Sequence, residues 1–389
     1  MKRWFLEPRD PLVIRDGRPN DERSESATMA FLQPSTCAGI VRTRLGSTND
    51  GRFVLGTDQL EALRQTRLRG PLLADPRAEA PMFPRPRDLR LERGPDDKLR
   101  VRTLKPYATP AGIEHADLEG LSLVGPEADE RARPGKPPRE VPEFWPWSTI
   151  ERGLRGELPR EDSATAEWLG DGVVSLPREA RTHVALDPET TTAREGMLYG
   201  TTGLRFAAGT AAQLSGVREL ALFVDFDATP LQERTIAPGL GPMGGKRRLV
   251  RWRPATSTRL PAVPAWLEEH VQQAPETAPL RLRVTLATPA IFGQGYRPTS
   301  GESPLLPPFA KLIAALVPTP ETISGWDFEH GRPKPSRRMA AAGSVFWIEL
   351  GGDLAARLAW LQGVWMQNVS DHEQDRRDGF GLALVGVGT

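Results

Sequence analysis

Residues 219–227, "ELALFVDFD", are followed along the chain by residues 241–252, "GPMGGKRRLVRW". The first stretch is a short apolar run, which predicts a buried strand. The second places three glycines before a run of cations that starts at Lys246. Glycine has no side chain, so the backbone amides around it can approach an anion closely. Together the two stretches predict a core strand followed by a glycine-rich, phosphate-binding loop at about 239–248.

The loop does not match the nucleotide-binding motifs. A Walker P-loop requires G-x-x-x-x-G-K-[ST], but Leu240 occupies the position of the first glycine and Arg247 that of the hydroxyl residue. The dinucleotide fingerprint G-x-G-x-x-G is also absent here. Two interpretations remain open, a site for the phosphates of a nucleic acid or a solvated turn with a basic rim. The residues assigned to this loop are Gly244, Gly245, Lys246, Arg247 and Arg248.

The 389-residue chain has the composition of a globular protein that is long enough for more than one core. Hydrophobic residues make up 39% and charged residues 26%, and no apolar run approaches the length of a membrane span. The N-terminus has no apolar stretch of the signal-peptide type, which predicts a cytoplasmic protein. The single cysteine, Cys37, excludes an internal disulfide framework and a cysteine-rich zinc site, and we expect neither metal nor cofactor.

The net charge is only +1, so the chain is not a uniformly basic nucleic-acid binder. Lysine occurs at only seven positions, so arginine supplies most of the 51 basic residues. Arginine suits bidentate phosphate contact and base stacking, which favours RNA binding slightly. The base composition of the genome explains the same excess equally well.

The N-terminal segment predicts a strand and then a helix. Residues 3–14 resemble a strand interrupted by two prolines, which predicts an edge strand or a bulged one. Residues 33–46 carry helix-start signals, with Pro34 followed by Ser35 and Thr36 as potential caps. The amides at such a helix end are also suited to an anion.

Residues 47–180 are rich in proline and charge, and we interpret them as an insertion in the first domain. Within this stretch, alternating residues around 94–97 predict a β-hairpin. The sequence "FWPW", residues 144–147, predicts packing in a core or interface. A second, longer hairpin is predicted at about 183–200, with a polar tip at 188–195.

The remainder of the chain predicts a second α+β unit. We expect a strand in 280–292, a helix near 308–317, a strand at 344–350, a helix at 353–365 and a closing strand at 380–387. The residues predicted to form the core face of the helix at 353–365 are Leu354, Leu358, Leu361 and Trp365. Two β-α-β-β-α-β halves fit this order of elements, so the predicted fold class is α+β.

Several motifs, in this order, resemble the RAMP superfamily and, within it, the third-subunit family of the Cmr (type III-B CRISPR) effector complex. The quoted blocks are "EPRDPLVIRDGRP", "PSTCAGIVRTRLG", "HVALDPETTTAREGMLY", "LATPAIFGQGYRP", "SGWDFEHGRPKPSRRMAAAGSVFWIEL" and "GFGLALVGV". They span about 5–387 and leave the proline-rich insertion unmatched. Lys246, Tyr296 and the "MAAAGS" block depart from the family pattern. The first departure puts the geometry of the glycine loop in question, and the others resemble packing variation.

The resemblance implies two tandem ferredoxin-like, RRM-type domains, at 1–255 and 256–389. It implies a non-catalytic role in antiviral RNA-guided interference, in which the subunit holds the repeat-derived 5′ handle of the CRISPR RNA (crRNA). The implied partners are that RNA, the large polymerase-like subunit and a backbone RAMP subunit, with target RNA contacted indirectly and no membrane. The hairpin at 183–200 corresponds to the thumb of the family.

The RNA-binding residues that we predict on this basis lie in the glycine loop, the first helix and its preceding turn, the thumb, a second basic cluster and the last glycine loop. They are Arg15, Gly17, Arg18, Ser35, Thr36, Arg42, His183, Arg194, Gly244, Gly245, Lys246, Arg247, Arg248, Lys334, Arg337, Arg338, Gly379, Phe380 and Gly381. Ordinary capping by Ser35 and Thr36, a partner-subunit contact for the cluster at Lys334, and a core role for Phe380 remain alternatives.

Two alternative functions remain. Some RAMP proteins are endoribonucleases that use a histidine, which would make this chain a processor of precursor crRNA. His183, which we expect to begin the thumb strand, has no evident acid partner, and we predict no catalytic residue. The run at 370–378, "SDHEQDRRD", predicts a solvated loop rather than a metal site. The other alternative is the equivalent handle-binding subunit of a type III-A (Csm) complex.

Overall fold

A computed structural model of the chain describes residues 1–14, 29–94, 96–108, 120–127, 135–159, 162–208, 218–231, 234–319, 321–327 and 331–388. The strands of the first part are β1 Lys2–Pro8, β2 Arg67–Asp75, β3 Ala80–Pro84, β4 Leu89–Arg93, β5 Leu99–Thr103, β6 Lys105–Tyr107, β7 Leu123–Gly125, β8 Phe144–Pro146, β9 Arg178–Leu186, β10 Ala193–Leu204, β11 Ala207–Ala208, β12 Arg218–Glu219, β13 Ala221–Asp227, β14 Gly239–Met243 and β15 Arg248–Pro254. The strands of the second part are β16 Leu280–Leu286, β17 Ala310–Leu316, β18 Glu321–Ile323, β19 Trp326–Asp327, β20 Arg332–Pro333, β21 Arg337–Met339, β22 Val345–Leu350 and β23 Ala383–Val387. The described helices are α1 Pro34–Gly46, α2 Thr57–Arg64, α3 Trp147–Arg155, α4 Asp162–Leu169, α5 Ala265–Gln273, α6 Leu354–Val364 and α7 Glu373–Asp378.

A seven-stranded antiparallel sheet organises the first part of the chain, in the order β14-β15-β1-β13-β2-β3-β8. The predicted buried strand is β13, and it pairs with both β1 and β2. Strand β1 lies inside the sheet, so its prediction as an edge strand was wrong. The reason is where it ends, because Pro8 is its last residue and Pro11 lies beyond it. Neither proline therefore removes a hydrogen bond from the interior of the strand.

The two faces of this sheet support different cores, because neighbouring side chains of a strand point to opposite faces. Trp4 and Leu6 of β1 belong to a cluster that contains Cys37 and Val41 of α1. Between them, Phe5 packs in the cluster that continues into the second half of the chain. The second half of the chain, from about residue 256, is thus packed against the first half through a shared apolar core.

The stretch predicted as an insertion, 47–180, contributes β2, β3 and β8 to this sheet, so it is not an insertion along its whole length. These strands were not predicted because prolines interrupt the alternation of polar and apolar residues along them. Outside the sheet it forms the hairpin β4–β5, as predicted, and the hairpin β6–β7. The "FWPW" stretch packs in the core as predicted, since Trp145 is fully buried against Trp168, with 5.1 Å between ring centroids.

The second sheet has four antiparallel strands in the order β17-β22-β16-β23. The helix expected near 308–317 is instead the edge strand β17, which pairs with β22. Proline-bounded and only seven residues long, this segment is too short for an independently stable helix, and sheet pairing overrides its helical propensity. The strand predicted in 280–292 ends at Leu286.

Helix α6 is confirmed, and its predicted core face is confirmed in part, since Leu361 and Trp365 are buried while Leu354 and Leu358 are only partly buried. The helix also buries Arg357, Trp360 and Val364, which the prediction omitted. Arg357 fits into the core because its guanidinium donates to backbone carbonyls, including that of Ala278 at 2.8 Å. A periodicity count that treats arginine as a surface residue misses this arrangement.

The prediction of a solvated loop at 370–378 is wrong, because this segment contains α7 and forms part of the interface between the halves. Ser370 and Asp371 are buried, and Asp378 accepts a hydrogen bond from Arg42 of α1 at 2.6 Å. Nearby, Asn368 donates through Nδ2 to the carbonyl of Leu68 in β2. The segment is thus partly buried: Asp371 is held by Gly293 and Thr299 of the second half, and Asp378 contacts the first half.

A buried ion pair also joins the two halves. Arg283 of β16 and Asp88, next to β4, are 3% and 0% exposed in their side chains and form a direct salt bridge. The same guanidinium donates to the carbonyl of Gly153 in α3. Burial raises the pKa of the Asp88 carboxyl, which the positive charge of Arg283 opposes. The pair fixes β16 against both a hairpin and a helix of the first half.

Replacing Arg283 with alanine should lower the free energy of unfolding by about 3–5 kcal/mol, because the Asp88 carboxylate would lose its buried partner. Denaturant unfolding measures the loss. The matched control is Arg281→Ala on the same strand, which removes an exposed pair with Glu349 and should cost less than about 1 kcal/mol. Equal losses in the two variants would contradict the assigned role of the buried pair.

The segment between the halves is held by Glu79, in the turn between β2 and β3. Its carboxylate accepts hydrogen bonds from the amide of Ser257 at 2.7 Å, from Thr256 Oγ1 at 2.9 Å and from Arg253 at 3.2 Å. Hydrogen bonds from Ser257 are the main cause that lowers the pKa of Glu79 well below its ordinary value. The charged carboxylate therefore anchors the start of the connection to the second half.

Glu79→Gln should lower the melting temperature at neutral pH. A carboxyl whose pKa is lower in the folded than in the unfolded chain contributes stability above its unfolded pKa, about 4.3, and loses that contribution as the pH falls further. The difference in melting temperature between wild type and variant should therefore shrink from pH 7 to pH 3. A difference that stays constant over this range would show that the charge of Glu79 is not what anchors the segment.

Candidate nucleic-acid interface

The predicted glycine loop is a tight β-hairpin, not a flexible loop. Its arms are β14 and β15, and the turn contains three residues with positive φ, Gly244 at 68°, Lys246 at 60° and Arg247 at 49°. A Cβ on Gly244 would lie 2.8 Å from the carbonyl oxygen of Val13, so only glycine fits there. Gly245 donates its amide to the same carbonyl at 2.8 Å. The close approach predicted from the glycines is thus made to the protein's own backbone.

This geometry exposes the cations that follow the glycines. The side chains of Lys246 and Arg247 are exposed, while Arg248, at the start of β15, is half-buried. The backbone of the turn is held by Val13, so its two exposed cations project from a fixed base. A fixed base of this kind reduces the entropy lost when a phosphate binds.

The turn meets the predicted thumb hairpin, β9–β10, in a surface that we call the basic-aromatic corner, formed by Lys246, Tyr199 and His183. The Lys246 ammonium lies 5.0 Å from the centroid of the Tyr199 ring. That ring stacks on His183 with 5.2 Å between centroids and 19° between planes. A cation over stacked rings offers both a phosphate contact and a platform for a base.

His183 lies in the middle of β9, not at the beginning of the strand as predicted, because β9 starts at Arg178. Its Nε2 lies 2.8 Å from Thr201 Oγ1, a hydrogen bond across the hairpin. This contact orients the ring so that it stacks on Tyr199. No carboxylate is among its hydrogen-bond or salt-bridge partners in the described part of the chain.

The hairpin is longer than predicted, and its side chains are largely exposed. One face carries three apolar residues, Val184, Leu186 and Leu198, which are 40%, 58% and 71% exposed. The tip is a turn of residues 187–192, where the amides of Thr190 and Glu189 donate to Asp187 and lower the pKa of its carboxyl. Arg194, one of the predicted site residues, is exposed at the start of β10.

Helix α1 does not use its predicted caps. The cap position is Gln33, and Ser35 and Thr36 lie within the first turn, half-buried. The predicted RNA contact of Arg42 is also corrected, because its guanidinium pairs with Asp378 and donates to the carbonyl of Thr66 at 3.0 Å. With a side chain only 14% exposed, Arg42 serves the contact between the halves rather than a phosphate.

The second predicted cluster divides into paired and exposed cations. Arg337 donates to both oxygens of Asp375 at 2.9 Å, and burial raises the pKa of that carboxyl in spite of the arginine. Lys334 and Arg338 are exposed, and no ion pair of either occurs among the described residues. Arg337 keeps 45% of its side chain exposed, so pairing rather than burial distinguishes it from Lys334 and Arg338.

The last glycine loop lies inside the protein. Gly379, Phe380 and Gly381 are all buried, and Phe380 packs with Ile291 and Met339. A Cβ on Gly379 would lie 2.5 Å from the carbonyl oxygen of Gly70, so the glycine permits the two halves to touch. The prediction that this loop contacts RNA is therefore wrong for Phe380, and its core alternative is confirmed.

The remaining predicted site residues, Arg15, Gly17 and Arg18, lie outside the described residues. Within the part of the chain that the structure describes, no group of three or more histidine, cysteine or acidic side chains is arranged to hold a metal ion. In the same ranges, no helix is long and apolar enough to cross a membrane. The residue that the sequence analysis missed is Tyr199, whose ring joins the turn and the hairpin.

The exposed hairpin and the glycine turn together present two exposed cations beside a pair of stacked rings. Residues 4–388 match the family described as CRISPR-associated protein (Cas_Cmr3), which is nearly the whole chain. The chain therefore belongs to the Cas_Cmr3 family, and the resemblance drawn from its motifs is confirmed.

Comparison with solved structures gives distant similarities. A chain of the type III-B Cmr-beta complex bound to cognate target RNA and AMPPnP is 14% identical, with a TM-score of 0.46, over 89% of this chain and 86% of that chain. A chain of Cmr-beta bound to cognate target RNA is 13% identical (TM-score 0.42), over 93% and 94% of the two chains. A chain of the Csm3-Csm4 subcomplex of a type III-A interference complex is 11% identical (TM-score 0.36), over 91% and 94%. No curated protein matches this chain.

In the basic-aromatic corner, we expect mutation of the cations to change the salt dependence of RNA binding and mutation of Tyr199 to change the affinity alone. Lys246→Ala and Arg247→Ala should each reduce the slope of log affinity against log salt for single-stranded RNA by about 0.7, because each removes a phosphate contact. Tyr199→Ala should leave the slope unchanged and weaken binding by about 1–3 kcal/mol, because it removes stacking. Fluorescence anisotropy over a salt series measures both quantities.

The control is Lys98→Ala, an exposed lysine in the hairpin β4–β5, which should change neither quantity. If Lys98→Ala and Lys246→Ala lower the slope equally, the cations act only through general charge. The glycine turn is then a solvated turn, as the alternative interpretation holds.

Proposed function

We propose that this Cas_Cmr3-family chain is the RNA-binding subunit of a type III-B CRISPR (Cmr) effector complex that holds the repeat-derived 5′ handle of the crRNA. The observation that carries the proposal is the basic-aromatic corner, in which Lys246 covers the stacked rings of Tyr199 and His183. It joins the two elements that the family resemblance assigns to RNA, the glycine turn and the thumb hairpin.

The chemistry of the corner suits a single-stranded RNA. Exposed cations neutralise phosphates and set the position of the strand, but they do not read its sequence. Aromatic rings receive unpaired bases by stacking, which is the usual way in which proteins bind splayed RNA. A strand that runs along the glycine turn would therefore place a phosphate at Lys246 or Arg247 and a base against the Tyr199 ring.

The hairpin β9–β10 supports a second part of the proposal. Its apolar residues Val184, Leu186 and Leu198 form one exposed face, while His183 and Tyr199 occupy the other. An apolar face of this kind is costly in water unless a partner covers it. We assign it the family role of a thumb at the junction of handle and guide, where neighbouring subunits meet. The chain would thus link the large polymerase-like subunit to the backbone filament and contact target RNA only indirectly.

The strand orders favour two ferredoxin-like units within the mixed α/β fold. The second sheet has the spatial order β17-β22-β16-β23, so its first strand in the chain, β16, lies between its third and its fourth. Four neighbouring strands of the first sheet have the corresponding order β2-β13-β1-β15, in which β1 likewise lies between the third and the fourth. A helix follows the first strand in one unit (α1) and the third strand in the other (α6), which is half of the full β-α-β-β-α-β complement in each.

We propose that the chain has no catalytic residue. General base catalysis by His183 would require a free ring nitrogen within reach of the attacking hydroxyl and an acid for the leaving group. The ring stacks on Tyr199 and its Nε2 bonds Thr201 Oγ1, and no carboxylate is among its partners in the described part of the chain, an arrangement suited to binding. Processing of precursor crRNA would therefore belong to another protein.

The test is to purify the tagged chain from its host and to sequence the RNA that accompanies it. We expect RNAs with uniform 5′ ends that carry repeat sequence, together with Cmr subunits. The variant with Lys246, Arg247 and Tyr199 all replaced by alanine should recover the same subunits with less RNA. The matched control is the Lys98→Ala variant.

Other outcomes contradict the proposal in different ways. Co-purification of type III-A subunits would place the chain in a Csm complex. Cleavage of repeat RNA by the purified chain, with or without magnesium, that disappears in His183→Ala would identify it as an endoribonuclease. RNA without repeat sequence at its 5′ end would remove the handle role itself.

A further inference from the structure

A polar groove of about 800 Å³ lies at the base of the hairpin β9–β10, and we call it the arginine groove. Its walls come from the end of β1, the turn between β2 and β3, the start of β9, the strands β11 and β12, and β15. Four acidic residues line it, so it carries two more positive than negative charges. No residue of the basic-aromatic corner lines it. Its arginines are Arg9, Arg77, Arg181, Arg205, Arg251 and Arg253.

Two of these arginines are used within the protein. Arg253 donates to Glu7 at 2.7 Å, and Arg181 pairs with Glu179 at 2.6 Å. All four side chains are half-buried, so these pairs are part of the protein's own packing. They also neutralise two of the four acidic residues that line the groove.

Arg9, Arg77 and Arg205 have no such partner. Each is exposed, and among the residues that the structure describes none of the three forms an ion pair or a side-chain hydrogen bond. They come from three separate segments, after β1, in the turn between β2 and β3, and between β10 and β11. Like charges that the fold gathers in one groove repel one another, so the arrangement favours an anion that lies between them.

The groove offers less to a nucleic acid than to an acidic protein segment. Among the described residues that line it, the only aromatic one is Phe206, which is 6% exposed, so no ring is available to stack a base. A strand with one charge on every nucleotide would also bring phosphates close to Asp10 and Glu219. In a protein segment, neutral residues between the carboxylates can face these two acids. Arginine binds such carboxylates in a bidentate manner.

We propose that the arginine groove is the docking site for an acidic segment of a neighbouring protein subunit, whose carboxylates pair with Arg9, Arg77 and Arg205. The proposal rests on the proposed function for the presence of a neighbouring subunit, and it adds the chemistry of the contact. Arg181 and His183 are two residues apart on β9 and therefore share one face of the hairpin. The docked segment thus lies next to the proposed RNA contact.

The first test measures the binding of fluorescein-labelled hexaglutamate to the purified full-length chain by fluorescence anisotropy. The groove variant, with Arg77→Glu and Arg205→Glu, should bind at least about tenfold more weakly than wild type, because each substitution replaces an attraction by a repulsion. The control variant, with Arg52→Glu and Lys98→Glu, has the same net charge and should bind as wild type. Both of its substitutions are at exposed positions outside the groove.

Folding is checked separately. The substituted positions are all exposed, so the groove and control variants should melt at the temperature of wild type. If the groove variant does not fold, the variant with Arg77→Gln and Arg205→Gln takes its place, and it should still bind hexaglutamate more weakly than the control variant.

The second test identifies the partner in the complex purified from the host. Ala78→Cys places a thiol beside Arg77 without removing a cation, and the chain's own cysteine, Cys37, is fully buried. A benzophenone attached to the new thiol should crosslink to a protein subunit on irradiation. Mass spectrometry should place the link in a segment in which aspartate and glutamate outnumber lysine and arginine. The groove variant should retain RNA and recover less of that subunit.

The outcomes separate this inference from the proposed function. A crosslink to RNA, or a groove variant that loses RNA and keeps every subunit, would show that the groove binds nucleic acid and would overturn the docking site. Equal loss of hexaglutamate binding in the groove and control variants, or a crosslink to a segment without an excess of acidic residues, would overturn its chemistry. If the complex carries no crRNA while the crosslink reaches an acidic segment, the proposed function fails and the docking site stands.

Discussion

The contact between Arg283 and Asp88 is the constraint on which the arrangement of the two halves depends. A buried charge is tolerated only when a partner and hydrogen bonds satisfy it, so β16 can occupy one position against the first half. Apolar contacts alone tolerate a range of packings. The pair therefore adds specificity to a core that already runs continuously from Phe5 to the strands of the second sheet.

That constraint determines what the surface can do. With the halves fixed, Thr288 and Ala342 of the second half complete a cavity under α1, and Glu321 reaches Gln33. The approach of Gly379 to the backbone of Gly70 closes the same interface at another point. The basic-aromatic corner, in contrast, is built within the first half alone. The proposed RNA contact thus belongs to a single half, whereas the cavity belongs to the junction of the two.

The sequence predicted the elements with strong local signals. Strand β13, the hairpin β4–β5 and helix α6 follow from apolar periodicity and turn residues, which act over short distances. Strand β17 was mistaken for a helix because its pairing with β22 is a long-range effect that local propensity does not contain. Strands β2, β3 and β8, within 47–180, were missed because prolines obscure a pattern that the neighbouring strands of the sheet stabilise. Family resemblance gave the identity of the chain, but not the details of its packing.

Among the site residues, the sequence identified the cations but not which of them are free. Lys246 and Arg42 are equally basic in sequence, yet one covers an exposed ring and the other is held by Asp378. The difference arises from α7, whose acidic residues were predicted to be solvated and instead pair with Arg42 of the first half and with Arg337 of the second. A charge count therefore overestimates the cations available to RNA, because part of the positive charge assembles the protein. At the glycine turn, Val13 holds the backbone, and the side chains of Lys246 and Arg247 are exposed.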